Sequence, residues 1–364
     1  MEKYLFLSFF ILIFAMGASA RRGQADRTVT LSRVLCVSAC LCGILVLVSF
    51  ISLLVGPSKV GAFSLLEGFF TGLSRGELHL PPMEKTILFS IRLPRIVCAG
   101  IVGAALSVAG AVFQGILRNP LADPYILGIS GGSAVGAITA IIVGASVLPL
   151  GTAGLSFLGA ALTILLVYRI AKTNREIHST TLLLAGVIVN AFFSAVIMFL
   201  VSISSNTQLH SIMFWLMGDL SLVTSDDIPL IGLFLAAGVT VMYLYARHLN
   251  LIVAGEETAM QLGVDVERTK KILFVAASLV TGAAVSVSGI IGFVGLIIPH
   301  IMRMLLGSDH RMLLPASLLC GASFLIAADT IARTIMAPAE LPVGVITALC
   351  GAPYFIYLLR RRAF

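Results

Sequence analysis

The stretch "SIRLPRIVCAGIVGAALSVAGA", residues 90–111, decides the fold. After its two arginines it continues without a charge through small and aliphatic residues, and it is long enough for the roughly 20-residue helix that crosses a bilayer. Glycine and alanine recur along it, and small residues let membrane helices approach one another closely. The stretch is therefore predicted to be a membrane helix whose faces pack against other helices rather than against lipid.

The composition of the whole chain agrees with this prediction. Of the 364 residues, 59% are hydrophobic and 11% are charged, and the mean hydropathy is +1.06. A soluble domain has about 45–50% apolar and about 25% charged residues. The net charge of +7 is small for this length and is scattered between apolar runs. That pattern argues against nucleic-acid binding and fits basic cytoplasmic loops of a membrane protein.

Further apolar stretches extend the prediction to the whole chain. Together they predict an all-α, polytopic membrane protein with about ten transmembrane helices. The predicted spans are 34–55, 94–114, 125–147, 151–171, 181–203, 229–246, 272–288, 290–306, 312–332 and 342–359.

The basic residues indicate the orientation. If the region before the first span is cytoplasmic, 17 of the 24 lysines and arginines lie on the inner side. This excess, with an even number of spans, predicts that both ends of the transport region are cytoplasmic. The loop 56–93 breaks the trend most, and Arg92 and Arg95 lie on the outer side with it.

Residues 1–20, "MEKYLFLSFFILIFAMGASA", allow three interpretations. The Ala18-Ser19-Ala20 ending resembles a signal-peptidase site. Cleavage there would place the arginines that follow outside, against the charge rule, so an uncleaved extra helix or a mis-assigned start is favoured. We expect residues 1–33 to be a hydrophobic extension and cytoplasmic lead-in, and residues 34–362 to be the transmembrane domain.

Motifs for catalysis are missing from the sequence. It contains no GxxxxGK[ST] phosphate loop, no HExxH and no GxSxG, so ATP binding through that loop and hydrolysis by those sites are not expected. No cofactor or metal site is predicted. The six cysteines lie in apolar runs without a CxxC pair and are expected to be small buried residues.

Arg92 and Arg95 flank Pro94, which suits the first turn of a helix. Arginines at a helix N-terminus are electrostatically disfavoured, so their position calls for a reason. One alternative is anchoring to lipid headgroups. The other is an electropositive dock for acidic groups of an external partner.

Two inner segments also have alternative interpretations. "LRNPLADPYILGIS", residues 117–130, is either an ordinary loop or a constriction at the inner end of a path, since irregular segments at membrane depth occur where they are buried or line a cavity. "AGEETAMQLGVDVERTKK", residues 254–271, is either a solvated loop or a helix that docks a cytoplasmic partner. Gly263 is predicted to end that helix.

Polar residues within the predicted spans are costly to insert and call for partners. Asp329 and Arg333 are four residues apart on one predicted helix, so we expect them to pair. His300 is expected to be a packing residue rather than a ligand.

These motifs in this order resemble the FecCD- or BtuC-like permease subunits of type II ABC importers, which take up ferric siderophores, haem and vitamin B12. The resemblance covers about residues 34–362. The matching stretches are RLPR (92–95), GAALSVAGAVFQGILRNPLADPYILGIS (103–130), LLLAGV (182–187), WLMGDLS (215–221), GEETAMQLGV (255–264), GFVGLIIPHIMR (292–303), DHRMLLP (309–315) and ELPVGVITALCGAPYFIYLL (340–359).

The resemblance implies a homodimer of ten-helix chains in the inner membrane, with two cytoplasmic ATP-binding cassette subunits and a periplasmic substrate-binding protein. Carried over by motif, the positions that dock the binding protein are Arg92, Arg95 and Arg333. The cytoplasmic gate would comprise Asn119, Leu121, Ser179 and Thr180. The ATPase subunits would couple through the 256–270 helices, at Glu256, Glu257, Ala259, Leu262 and Gly263.

Three functions remain in view at this point, and one of them, a membrane receptor or assembly factor, would not need a polar inner segment suited to an ATPase. An importer permease, without an enzymatic site of its own, would move an iron chelate or cobalamin into the cytoplasm while the partner hydrolyses ATP. An ion-coupled secondary carrier would need a membrane carboxylate for coupling. Asp329 is the good candidate, and Arg333 is expected to neutralise it. The sequence does not indicate which chelate is carried.

Overall fold

A computed structural model describes residues 29–56, 81–145, 151–173, 176–177, 179–221 and 223–362. The prediction for residues 1–20 lies outside this range. The described part is helical apart from loops and a two-residue strand pair, β1 (Lys172–Thr173) with β2 (Glu176–Ile177). The helices are α1 Leu31–Leu54, α2 Pro82–Ile116, α3 Ile129–Ile142, α4 Gly151–Ala171, α5 Ser179–Ser202, α6 Asn206–Leu216, α7 Asp227–Leu244, α8 Ala246–Ala254, α9 Glu256–Gln261, α10 Val266–Ser288, α11 Val294–Leu306, α12 His310–Ala332 and α13 Val343–Arg362.

The ten predicted spans correspond to helices in this structure. In the described residues, six helices are long and apolar enough to cross a membrane, and the bent pair α7–α8, with an angle of 53°, could make a seventh. Helices α3, α11 and α13 are the shorter apolar ones. The prediction of an all-α polytopic protein is confirmed, with α6 as an additional short helix between two spans.

Helix α2 is the centre of the fold, since nearly every residue from Pro94 to Ile116 is buried. Its glycines bring other helices close to its backbone. Gly103 lies against Gly321 of α12, and Gly110 lies against Gly295 of α11. A side chain at either position would meet the neighbouring main chain, as expected for close packing of membrane helices.

The beginning of α2 differs from the prediction. The helix does not start beside Pro94 but runs continuously from Pro82, with a π-helical stretch over Ile87–Arg92. A π-helical turn just before a proline can absorb its missing N–H. Arg92 and Arg95 are therefore inside a helical segment, and the expected penalty for cations at a helix N-terminus does not apply to them.

Helices α3 and α11 have 14 and 13 residues, about 20 Å at the α-helical rise, against a hydrocarbon core of about 30 Å. Gly132, near the start of α3, lies against Gly159 in the middle of α4. Gly295, near the start of α11, lies against Leu106 and Gly110 of α2. Both helices thus begin part-way along a longer neighbour, so chain breaks lie inside the helical bundle.

The prediction for the cysteines is wrong for three of them. Cys98 and Cys320 are buried, but Cys36, Cys40 and Cys42 are exposed, and all six are unbridged. The three exposed cysteines lie on α1, most of whose surface is not covered by the part of the chain that the structure describes. An apolar run cannot by itself distinguish a helix that faces lipid from one that faces protein.

The close approach at Gly103 can be tested by adding one methyl group. Gly103→Ala places a Cβ against the Gly321 carbonyl and 2.8 Å from Leu325 Cβ, so we expect a loss of about 1–3 kcal/mol in the free energy of unfolding. The control is Gly43→Ala on α1, where a Cβ meets no heavy atom within 4 Å. Thermal unfolding of the purified proteins measures both. Equal effects would contradict the packing role of Gly103.

Candidate functional site

Arg95 lies in a buried ion cluster where α2 meets α12. Its Nε donates to both carboxylate oxygens of Asp329, at 2.9 and 3.1 Å, and its Nη1 lies 2.6 Å from Glu340 Oε2. The Asp329 side chain is 1% exposed, and that of Glu340 is 34% exposed. Arg333 Nε lies 3.7 Å from Asp329 Oδ2. The predicted pairing of Asp329 with Arg333 is confirmed, and Arg95 is a closer partner.

Arg333 of this cluster and Arg92, one helical turn before Arg95, bind the end of α1. Arg92 donates to the carbonyl oxygens of Leu53 and Leu54, and Arg333 donates to the carbonyl and hydroxyl oxygens of Ser52. The last carbonyls of a helix lack intrahelical partners and carry partial negative charge. Arg92 and Arg333 therefore cap α1 and hold it against α2 and α12.

The structure thus brings together the three arginines that the sequence assigned to docking, but it turns their charges inward. Arg92, Arg95 and Arg333 are 3%, 7% and 2% exposed. Glu340 and Ser52 belong to this arrangement and were missed, because a serine within an apolar run and a glutamate before Leu341-Pro342 carry no pairing signal of their own.

The segment 117–128 connects α2 to α3 and contains two of the residues assigned to the gate. The Asn119 side chain accepts the Leu121 N–H at 2.9 Å, which forms a local turn. The Leu121 side chain is 44% exposed at that turn. Asp123 begins the short 3-10 helix Pro124–Leu127 by accepting the Tyr125 N–H.

The other two residues assigned to the gate stand at the start of α5. Thr180 is exposed, and the side chain of Ser179 lies outside the described part. Residues Ile126 and Leu127 pack against Gly186 of the same helix. The 117–128 segment and α5 are therefore direct neighbours.

The surface assigned to ATPase coupling is built on α9. Gly263 has a φ of +84° and follows the end of the helix, as predicted. Ala259 is buried in a small core with Ile252, Val264 and Val266. Glu256 Oε2 accepts from the buried Lys270 Nζ at 2.6 Å, which joins α9 to α10.

The other predicted coupling residues differ in exposure. Glu257 is exposed, and Leu262 and Met260 are 63% and 56% exposed. Ala259 thus belongs to the small core, whereas the Leu262 side chain three residues later is open to the surroundings. An exposed leucine and methionine beside a carboxylate make a mixed surface suited to a protein partner.

The model of the FecCD transport family matches residues 44–361 of the chain. The chain belongs to the FecCD transport family. The match includes every helix from α2 to α12, with the arginine cluster, the 117–128 segment and the α9 surface.

Relatives of this FecCD chain are permeases with several cargoes. It is 49% identical over 286 residues to the cobalamin import system permease protein BtuC of Halobacterium salinarum, covering 79% of this chain and 76% of that protein. It is 40% identical over 319 residues to the hemin transport system permease protein HmuU of Yersinia pestis, covering 87% and 94%.

A solved structure shares the fold. That solved structure is described as an inward-facing conformation of a metal-chelate type ABC transporter. It aligns with this chain with a TM-score of 0.76 and 34% sequence identity. The alignment covers 89% of this chain and 98% of that one. The chain is thus a multi-span ABC permease of the FecCD family, and the resemblance seen in the sequence is confirmed.

The central place of Asp329 in the arginine cluster can be tested by neutralising it. Asp329→Asn leaves Arg95 and Arg333 buried without their shared carboxylate, so we expect a loss of about 3–5 kcal/mol in the free energy of unfolding. Glu340→Gln removes a partner that is 34% exposed and should cost no more than about 1 kcal/mol. Thermal unfolding compares the two, and equal losses would refute the assignment of Asp329 as the centre.

Proposed function

We propose that this FecCD protein is the permease subunit of an ATP-driven importer that moves an iron chelate or cobalamin from the periplasm to the cytoplasm. The observation that carries the proposal is the family match over residues 44–361, together with the exposed α9 surface. The permeases named for cobalamin and for hemin support this substrate class. An ion-coupled carrier has no support, since Asp329, its candidate coupling carboxylate, is bound to Arg95.

The proposed assembly is a homodimer in the inner membrane, with its C-termini in the cytoplasm. Two ATP-binding cassette subunits hydrolyse ATP and dock on the 256–270 helices. A periplasmic binding protein delivers the cargo. Residues 34–362 form the transport domain, and Asn119, Leu121, Ser179 and Thr180 form its cytoplasmic gate.

The test is transport by the complete system in proteoliposomes. The permease is reconstituted with its ATPase and binding protein, and uptake of cobalamin, haem and a ferric siderophore is compared with and without ATP. The proposal is supported if one of these three cargoes is taken up only when ATP is present. Uptake driven by a proton gradient without ATP would refute it.

The ATPase-docking surface can be tested at Leu262. Leu262→Asp places a charge on the exposed apolar surface at the end of α9, so we expect weaker association with the ATPase subunits and a several-fold loss of ATP-dependent uptake. The control is Leu31→Asp, the same change at a leucine that is 72% exposed at the start of α1. Co-purification of the ATPase and uptake are measured together. Normal uptake by the Leu262 variant would exclude a docking role for α9.

A binding protein that docks on the arginine cluster must compete for a guanidinium that is already paired. The guanidinium of Arg95 is already bound by Asp329 and Glu340. Of these two carboxylates, Glu340 is the more exposed. An acidic group of the partner would therefore compete with Glu340 for Arg95.

This competition predicts opposite effects for two substitutions. Glu340→Gln removes the competing carboxylate and should strengthen binding of the periplasmic protein several-fold, whereas Arg95→Glu should abolish it. The affinity of the periplasmic protein is measured for each permease variant in nanodiscs. Weaker binding by the Glu340 variant would mean that Glu340 itself belongs to the dock.

A further inference from the structure

Side chains at both ends of the 117–128 segment bind α11 or the residues just before it. Just before it, the Gln114 side chain donates to the carbonyls of Gly295 and Leu296, at 3.3 and 3.4 Å, and accepts from Arg303 Nη2 at 2.9 Å. Near its other end, the Tyr125 hydroxyl donates to the Ile291 carbonyl at 2.7 Å. The same hydroxyl accepts the Ile291 N–H at 3.1 Å.

The tyrosine bonds have a physical reason. Ile291 lies in the break between α10 and α11, so its main-chain groups are outside the helical hydrogen-bond pattern. Main-chain groups at membrane depth must find protein partners, because lipid offers none. One hydroxyl satisfies both groups of Ile291, and Asp123 holds the main chain of Tyr125 in place.

Close packing reinforces these bonds. A Cβ on Gly295 would lie 2.8 Å from the Leu106 carbonyl oxygen and 2.9 Å from Pro124 Cδ. In the described residues, the two non-glycine residues with positive φ are Arg118, at 48°, and Phe293, at 70°. Such conformations persist where the surroundings hold them. Arg118 directly precedes the proposed gate residue Asn119, and Phe293 directly precedes α11.

The short link after α11 leads to the start of α12, which is bound to α8 beside the α9 surface. After α11, the Asp309 Oδ1 atom accepts from Asn250 Nδ2 at 2.8 Å, and the His310 N–H donates to Asn250 Oδ1 at 2.8 Å. Asn250 lies on α8, which α9 follows after a single residue. Hydrogen bonds thus connect α8 to the start of α12, which follows α11 after a three-residue link, and they connect the start of α11 and the residues just before it to the 117–128 segment.

We infer that α11 and the 117–128 segment move as one rigid unit, with Gln114 and Tyr125 as positioning residues that transmit movement of α8 and α9 to Asn119 and Leu121. The unit slides against α5, which it meets by van der Waals packing at Gly186. Sliding of packed helices is a common form of protein motion. The inference deepens the proposed function, since it assigns a mechanical route to the same gate.

The first experiment uses the complete transporter. Tyr125→Phe keeps the ring but removes both bonds to Ile291, so ATP hydrolysis should continue while cargo imported per ATP falls by roughly tenfold or more, as for the loss of two typical hydrogen bonds. The control is Tyr243→Phe, which removes a hydroxyl from a side chain that is 43% exposed. A lowered melting temperature with an unchanged import-to-hydrolysis ratio would mean that Tyr125 is only structural and would overturn the inference.

The second experiment does not depend on the cargo. Spin labels are placed on Leu121 and Ser308, both exposed and at the two ends of the unit, or on Leu121 and Thr180 across the seam with α5. The exposed cysteines of α1 are replaced by serine. Distances within one protomer are measured in nanodiscs with the ATPase subunits, with and without nucleotide.

We expect the Leu121–Ser308 distance to stay constant and the Leu121–Thr180 distance to change. Tyr125→Phe should broaden the first distribution. A Leu121–Ser308 distance that changes as much as the other would overturn the rigid unit even if ATP-driven import is established. If import fails the ATP test but the first distance stays constant and the second changes, the proposed function falls and the rigid unit stands.

Discussion

Main-chain polar groups inside a bilayer have no water to bind, so each must find a partner within the protein. The non-helical segments before α3 and α11 depend on this requirement. Long helices satisfy their own peptide groups. Helices α3 and α11 begin part-way along longer neighbours, so the loops before them bring unpaired groups into the bundle. Tyr125 supplies both partners for Ile291, and Gln114 binds carbonyls in the first turn of α11. The breaks are stable because side chains from α2 and the segment that follows it complete them.

The same constraint explains the arginine cluster. The C-terminus of α1 has carbonyls without helical partners, and Arg92 and Arg333 bind them. Burying cations requires counter-charges; Asp329 and Glu340 supply them to Arg95, and Asp329 also lies beside Arg333. The three arginines that look like a docking patch in the sequence form the joint of α1, α2 and α12 in the structure.

Recognition of the fold needed little beyond apolar length and small residues. The ten stretches correspond to helices, and Gly263 ends α9 as expected. The predictions were wrong where contacts with neighbouring helices decide burial or the start of a helix. Cys36 resembles Cys98 in its apolar setting, yet one faces outward and the other is buried. Pro94 looked like a helix start, but a π-helical stretch carries the helix through it. The pairing of Asp329 with Arg333 could be predicted because it is local, whereas Arg95 with Asp329 spans 234 positions.

The sequence by itself determined the membrane class, the number of apolar segments, the family and the residues matched to its motifs, because these follow from composition, periodicity and motif order. The tertiary structure alone decided which charges are buried, where α3 and α11 begin relative to their neighbours, and which side chains fasten the 117–128 segment. Those outcomes depend on contacts between residues far apart in the chain, such as Tyr125 and Ile291. No local pattern indicates which distant main-chain groups need a partner.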